Sequence, residues 1–211
     1  MEPREVTVAA NRRVGPDTVA LDLETPEGFS AEPGQFVKLT LEVEGEPVSR
    51  FYTLSSPSVA DTFEITVGID PEGDVAPHLE ALEAGDVVQI AGPFGNDYYE
   101  GESRVVILAG GPGVGAAIGI AERAVAEGGE AGLVYQDDAP VHEDRLAALT
   151  EKGAAVHILT DDEDMTDAVA SVLTGDEQLF IYGFADFLDA ATTALQEAGA
   201  DPETAKVENF G

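Results

Sequence analysis

Up to about residue 100 the chain alternates between apolar and polar positions in short runs. Glu5 to Ala9, Thr18 to Leu23, Phe36 to Val43, Phe51 to Leu54, Phe63 to Ile69 and Val87 to Ile90 are rich in β-branched and aromatic residues. Gly, Pro and Asp punctuate them, so the pattern predicts strands joined by tight turns. One insert breaks this rhythm. Within Val75 to Leu82 the apolar positions Val75, Leu79 and Leu82 fall at helical spacing, and Gly85 follows. Many short strands with tight turns predict a small closed barrel.

After Gly101 the pattern changes. Val105 to Leu108 is a continuous apolar run followed by glycines and a helix-like stretch from Val114 to Ala126. Leu133 to Tyr135, Val156 to Leu159 and Leu179 to Tyr182 read as further buried strands. Arg145 to Leu149, Asp167 to Leu173 and Ala185 to Ala198 read as helices between and after them. Such alternation predicts a parallel sheet covered on both faces. The expected fold is therefore a two-domain one: an N-terminal antiparallel β-barrel over residues 1–100 and a C-terminal α/β domain over 101–211. The boundary is expected near Asn96 to Glu102.

Charge narrows the chemistry. The chain has 42 Asp plus Glu against 10 Lys plus Arg, a formal net charge of −32. The acids are spread along its whole length, while the 44% hydrophobic content suffices for a core. Molar salt shortens the Debye length to about 3 Å and screens such self-repulsion, so the composition suits a halophilic, very saline cytoplasm. A surface of this sign disfavours nucleic acid and anionic membranes. There are no cysteines, which excludes disulfides and thiolate-held iron–sulfur clusters. His78, His142 and His157 show no ligand spacing, so no metal site is expected, and each is expected at the surface. Val105 to Ala121 is uncharged but short and glycine-rich, which argues against a membrane span. The N-terminus does not read as a secretion signal. A soluble, cytoplasmic protein is expected.

Against this background Arg50-Phe51-Tyr52-Thr53 stands out, because it places a scarce arginine beside an aromatic ring and a hydroxyl. Arg50 offers a fork of donors suited to phosphate, Tyr52 a flat stacking face, and Thr53 a hydrogen-bonding tip. Taken alone, the four residues also fit an ordinary strand. A second feature is Ala109-Gly110-Gly111-Pro112-Gly113-Val114-Gly115-Ala116, at an expected strand-to-helix junction. It lacks the Lys-Ser/Thr of a P-loop. Gly111-x-Gly113-x-x-Ala116 fits a dinucleotide fingerprint, with Asp137 following at roughly the ~20-residue distance at which an acid meets the ribose. A tight packing turn without ligand would give the same glycines.

Together the two halves resemble the ferredoxin–NADP reductase family of flavoenzymes. Arg50-x-Tyr52-Thr53 is similar to its flavin motif, Pro33-Gly34-Gln35-Phe36-Val37 to its strand entry, and Gly92-Pro93-Phe94-Gly95 to the turn that closes its barrel. Ala109 to Val114 resembles its pyridine-nucleotide loop. Tyr182-Gly183-Phe184 stands where a Cys-Gly-Pro segment is expected, and Val207-Glu208-Asn209-Phe210 resembles its acidic-then-aromatic ending.

The resemblance implies an FAD-dependent oxidoreductase that passes electrons between NAD(P)H and a separate one-electron acceptor such as ferredoxin. It casts Thr53, Tyr182 and Glu208 as the catalytic set. Arg50, Phe51, Tyr52 and Thr53 would hold the flavin, with Thr53 near its N5. The Gly73-Asp74-Val75-Ala76 turn would offer N–H groups to the pyrophosphate. Gly111, Pro112, Gly113, Val114 and Gly115 would receive the nicotinamide dinucleotide, with Asp137 at its ribose, Tyr182-Gly183 by the nicotinamide and Phe210 covering the flavin ring. Ala76 replaces a usual hydroxyl residue, and Tyr182 a usual cysteine. Gln136-Asp137-Asp138 sets acids where a 2′-phosphate would lie, which favours NADH over NADPH. The alternative is a non-catalytic flavin-binding electron-transfer subunit, or a regulatory nucleotide-binding module, on the same scaffold.

Overall fold

The computed structural model describes residues 2–70 and 72–211. The first sheet comprises β1 (Arg4–Gly15), β2 (Thr18–Glu24), β3 (Phe36–Val43), β4 (Glu46–Thr53), β5 (Thr62–Gly68) and β6 (Val87–Phe94). They lie in the order β4-β3-β6-β1-β2-β5, and every pairing is antiparallel. A Leu54–Ile65 bridge and a 2.8 Å bond from Ser55 N–H to Glu64 O join β4 to β5 and close the sheet on itself. The alternation seen in the sequence fills its interior: Val19, Leu21 and Leu23 of β2 face Val37, Leu39 and Leu41 of β3 across one core. The short helix α1 (Ala76–Glu80) inserts Leu79 into that core.

Two local features differ from expectation. The strand expected from Phe51 begins at Glu46, because Glu44 and Gly45 both adopt positive φ (53° and 86°) and make a two-residue hairpin turn. Glutamate seldom takes that conformation, so the sequence conceals the turn. Gly92-Pro93-Phe94 is not a turn but the end of β6. There the register with β3 moves from Lys38–Ala91 to Phe36–Phe94, one extra residue on the β6 side, which is a bulge.

The second sheet comprises β7 (Arg104–Gly110), β8 (Glu130–Gln136), β9 (Ala155–Leu159), β10 (Gln178–Gly183) and β11 (Lys206–Asn209). All pairings are parallel, in the order β11-β10-β7-β8-β9. The chain runs outward from β7 through β8 and β9, then returns to β10 on the other side. The carboxyl ends of β7 and β10 therefore flank the switch point at which open α/β sheets bind ligands. Helices α2 (Val114–Ala126) and α3 (Glu143–Glu151) cover one face; α4 (Thr166–Val172) and α5 (Ala185–Glu197) cover the other.

The two sheets are joined by close packing and by charge. A Cβ on Gly115 of α2 would lie 2.6 Å from the Thr66 hydroxyl, and one on Gly119 would lie 3.0 Å from Ser56 O. The α2 backbone thus rests directly on the barrel. Beside it, Glu64 of β5 receives Arg145 of α3 at 2.7 Å, Arg12 of β1 at 2.6 Å and the Ser55 hydroxyl at 2.7 Å. Arg145 also donates to Ser55 O and Glu122. His142, expected at the surface, is buried here. It has φ of 56° and pairs its Nε2 with the Thr66 hydroxyl at 2.8 Å. His78 is exposed and His157 is partly buried. Among the described residues no His, Asp or Glu cluster has metal-binding geometry, and no helix is long and apolar enough to cross a membrane.

Candidate functional site

A cleft of about 510 Å³ opens where the ends of β4 and β5 meet the carboxyl ends of the parallel sheet. From the barrel come Arg50, Tyr52 and Thr53; from the segment before α1 come Gly73, Asp74, Val75 and Ala76. The parallel domain contributes Pro112, Ala116, Phe184, Glu208, Asn209 and Phe210. Two stretches far apart in the chain are thereby brought to one place, and their contact is specific. The Thr53 hydroxyl donates to Glu208 Oε1 at 3.1 Å.

Strand geometry sets the barrel side. Alternation along β4 puts Arg50 and Tyr52 on one side and Phe51 on the other. Arg50 is held loosely: one Nη donates to Ser49 O at 2.9 Å, and Asp74 lies 4.0 Å away. The side chain lines the cleft, in a chain where positive charge is scarce. Burial pushes the Tyr52 phenol up to about 12, while nearby Arg50 pulls it down, so the ring stays neutral. Phe51 borders the cleft, yet its ring turns to the far side of the strand and stands edge-on to Phe36 at 5.6 Å. The segment before α1 lines the cleft, but Gly73 N–H is already bonded to Asp70 O at 3.0 Å. That donor is committed within the protein.

On the other side, burial raises the Glu208 carboxyl to about 7; the Thr53 hydroxyl opposes this and the Asp97 charge adds to it. Phe210 donates its N–H to Gly183 O at 3.0 Å and sets its ring edge-on to Phe184 at 6.1 Å, above the cleft. A carboxyl that titrates near neutrality, hydrogen-bonded to a hydroxyl beside an aromatic wall, can hold and release a proton.

The glycine-rich turn divides into two parts. Gly111 has φ of 53°, a Cβ on it would meet nothing within 4 Å, and the adjacent Pro112 borders the cleft. Gly113, Val114 and Gly115 are buried. A Cβ on Gly113 would come within 2.2 Å of Tyr182 O. These glycines serve the packing of α2 against β10 and the barrel. Tyr182 is also placed elsewhere than expected. Its side chain is fully buried, does not line the cleft, and donates its hydroxyl to Asp97 O at 3.0 Å. Gly183 is buried too, with Phe187 filling the space above it. Asp137 lies at the carboxyl end of β8, outside the cleft, accepting from the Tyr135 hydroxyl at 2.9 Å and from Ala139 N–H at 2.8 Å.

Sequence reasoning missed Asp17, Thr66, Gly68 and Ile69, which complete the cleft from β5 and the β1–β2 turn. Nothing in their local sequence marks them; only barrel closure brings them to Arg50.

Comparison with known proteins agrees with this architecture. Residues 5–99 match the family described as "Oxidoreductase FAD-binding domain". The glycine betaine monooxygenase reductase subunit of Chromohalobacter salexigens is 44% identical over 97 residues, which cover 43% of this chain and 26% of that protein. The chain thus spans about a quarter of that relative's length. A probable dihydroorotate dehydrogenase B (NAD(+)) electron transfer subunit of Methanopyrus kandleri is 32% identical over 123 residues, 58% of this chain and 45% of that one. Among solved structures, the FAD/NAD-binding domain of the Vibrio cholerae nitric oxide dioxygenase superposes with a TM-score of 0.81 at 18% identity, covering 99% of this chain and 98% of that one. A ferredoxin NADP+ reductase of Neisseria gonorrhoeae with bound FAD and NADP gives 0.78 at 18% identity, with both chains covered completely. Residues 5–99 thus match an oxidoreductase FAD-binding domain, and the whole chain shares the two-domain fold of these solved structures.

Proposed function

We propose that the chain is a flavin-dependent reductase that takes electrons from NADH or NADPH and passes them to a separate one-electron carrier, such as a ferredoxin. The observation that carries this reading is the Thr53–Glu208 hydrogen bond, which joins the two domains in the cleft beside Arg50 and Tyr52. The residues fit FAD. Arg50 has uncommitted donors for a diphosphate, Tyr52 and Phe210 offer flat faces, and Thr53 and Glu208 can meet the polar edge of a flavin. Bound FAD supplies hydride acceptance and one-electron release, and the protein orients and tunes it.

On this reading Arg50 would hold the diphosphate and Tyr52 the flavin ring. Phe210, which lines the cleft edge-on to Phe184, would hold the flavin ring from the side of the parallel domain. Glu208 holds a proton near neutral pH and exchanges it through Thr53 Oγ1. Gly111 and Pro112 are the part of the glycine-rich turn that meets the nicotinamide nucleotide, whereas Gly113 to Gly115 keep α2 in place. Asp137 and Asp138 stand at the carboxyl end of β8, where repulsion of a 2′-phosphate would favour NADH. The functional domains are taken as 1–100 and 101–211. The −32 charge fits a halophilic, cytoplasmic setting whose salt screens two acidic partners from each other.

One observation favours a second reading, that of an electron-transfer subunit that nicotinamide does not reduce: Tyr182 turns away from the cleft and offers the nicotinamide no side chain. Anaerobic titration with NADH and NADPH separates the two. Bleaching of the flavin supports the reductase; a flavin that stays oxidised supports the subunit.

A further inference from the structure

The end of β10 and the edge strand β11 are tied to the segment that joins the two domains. Tyr182 buries its ring over Phe180, with centroids 6.4 Å apart and planes 12° from parallel. Its hydroxyl reaches past the sheet to Asp97 O at 3.0 Å. From the barrel side, a Cβ on Gly34 would stand 2.6 Å from that hydroxyl, and the preceding Pro33 O accepts Tyr99 N–H at 2.9 Å. The phenol is thus wedged between the parallel sheet, the joining segment and the turn into β3. Lys206 makes a parallel tie, donating to Tyr98 O at 2.6 Å and to Glu102 at 2.7 Å.

The same backbone carries the cleft's acid. Tyr182 pairs with Glu208 in the β10–β11 register, and Gly183 O holds Phe210 N–H. β11 has only four residues and one neighbour, so its position depends on what anchors β10. Tyr182 is the β10 residue whose side chain ties that strand to the joining segment, next to Glu208 in register.

We propose that Tyr182 is a positioning residue, a wedge that sets Glu208 of the parallel sheet against Thr53 of the barrel. Its role in catalysis rests on the reductase reading above; its effect on Glu208 does not. The groups facing Glu208 are the Thr53 hydroxyl, Asp97 of the joining segment and the Tyr182 phenol. Arg50 and Asp74 line the same cleft, and Lys206 on its own strand is committed to Glu100 and Glu102.

The test uses the flavin-loaded protein and Tyr182→Phe, which keeps the ring and removes only the hydroxyl. Glu208 is titrated by its carboxyl infrared band, assigned by its loss in Glu208→Gln. Flavin reduction by saturating NADH is followed in parallel. Titration near pH 7 is expected in the parent. In Tyr182→Phe the midpoint should fall toward the ordinary glutamate range as Glu208 leaves its half-buried place, and reduction at saturating NADH should slow about 10-fold as the pair is displaced. Tyr182→Leu, which also removes ring packing, should move both readouts further in the same direction. A lowered melting temperature with an unchanged titration and rate would make Tyr182 purely structural and overturn the proposal. A parent flavin that neither NADH nor NADPH reduces would overturn the reductase reading instead, leaving the infrared titration to decide on Tyr182.

Discussion

Arg145 Nη1 meets Glu64 Oε1 at 2.7 Å across the domain interface, and two further groups, Arg12 and Ser55, converge on the same carboxylate. Burial alone would raise the Glu64 carboxyl, but Arg145, Ser55, His142 and Arg12 together hold it below the usual carboxylate range. Of the chain's ten Lys and Arg side chains, two converge on this one acid.

Arg145→Met should therefore be costly. Breaking a buried pair leaves an uncompensated charge, and because both side chains keep some solvent contact we expect a loss of about 2–4 kcal/mol. Urea unfolding at fixed salt measures it. A double variant with Glu64→Gln should recover part of the loss. A single-variant loss under about 0.5 kcal/mol would show that the network does not hold the domains.

His142 gives the interface a pH dependence. Burial pushes its imidazole down to about 4, with Glu64 opposing and Arg145 and Arg12 reinforcing the shift. A depressed folded value means that the unfolded chain takes up the proton first. The contribution is thus complete above about pH 6.5 and is lost as pH falls toward 4. His142→Gln should flatten the stability profile across that window. The outcome that counts against this is an unchanged slope between pH 6.5 and 4.

The glycine-rich turn predicts a division of labour. Gly115→Val would press on the Thr66 hydroxyl and Ser55, and should cost about 1–3 kcal/mol by overpacking. Gly111→Ala meets no neighbour and carries only the strain of positive φ, about 1–2 kcal/mol, but should weaken nicotinamide-nucleotide binding. Thermal melts and nucleotide titrations of the two variants should rank oppositely. If both fail in the same assay, the turn is not divided.

Arg50→Ala should weaken flavin retention by about 10- to 100-fold, the range set by losing a charge-assisted contact, without lowering the melting temperature of the flavin-free protein. Equilibrium dialysis of flavin against both proteins in molar salt gives the ratio. Equal retention would remove Arg50 from the site.

Much of this was legible in the sequence. Alternation over Thr18 to Leu23 and Phe36 to Val43 marks barrel strands because one face must be buried. The run Val105 to Leu108 marks a central parallel strand because both faces are. Helix α2 begins at Val114, where expected, since the glycines before it break the strand. What escaped depends on partners distant in sequence. His142 carries no local sign that Thr66 and Glu64 will enclose it. Tyr182 and Gly113 read as ligand-facing because nothing nearby reveals that Asp97 and Gly34 enclose the Tyr182 hydroxyl and that the β10 backbone crowds Gly113. Glycines required for packing and glycines required for phosphate approach look alike until the neighbouring sheet is in place.

Anaerobic titration of the flavin-loaded protein with NADH, in molar salt, tests the central claim most directly. We expect a yellow protein whose flavin absorbance bleaches on NADH addition and returns when a one-electron acceptor is supplied. A protein that takes up no flavin, or whose flavin neither NADH nor NADPH bleaches, would contradict the assignment of this cleft to a nicotinamide-dependent reductase.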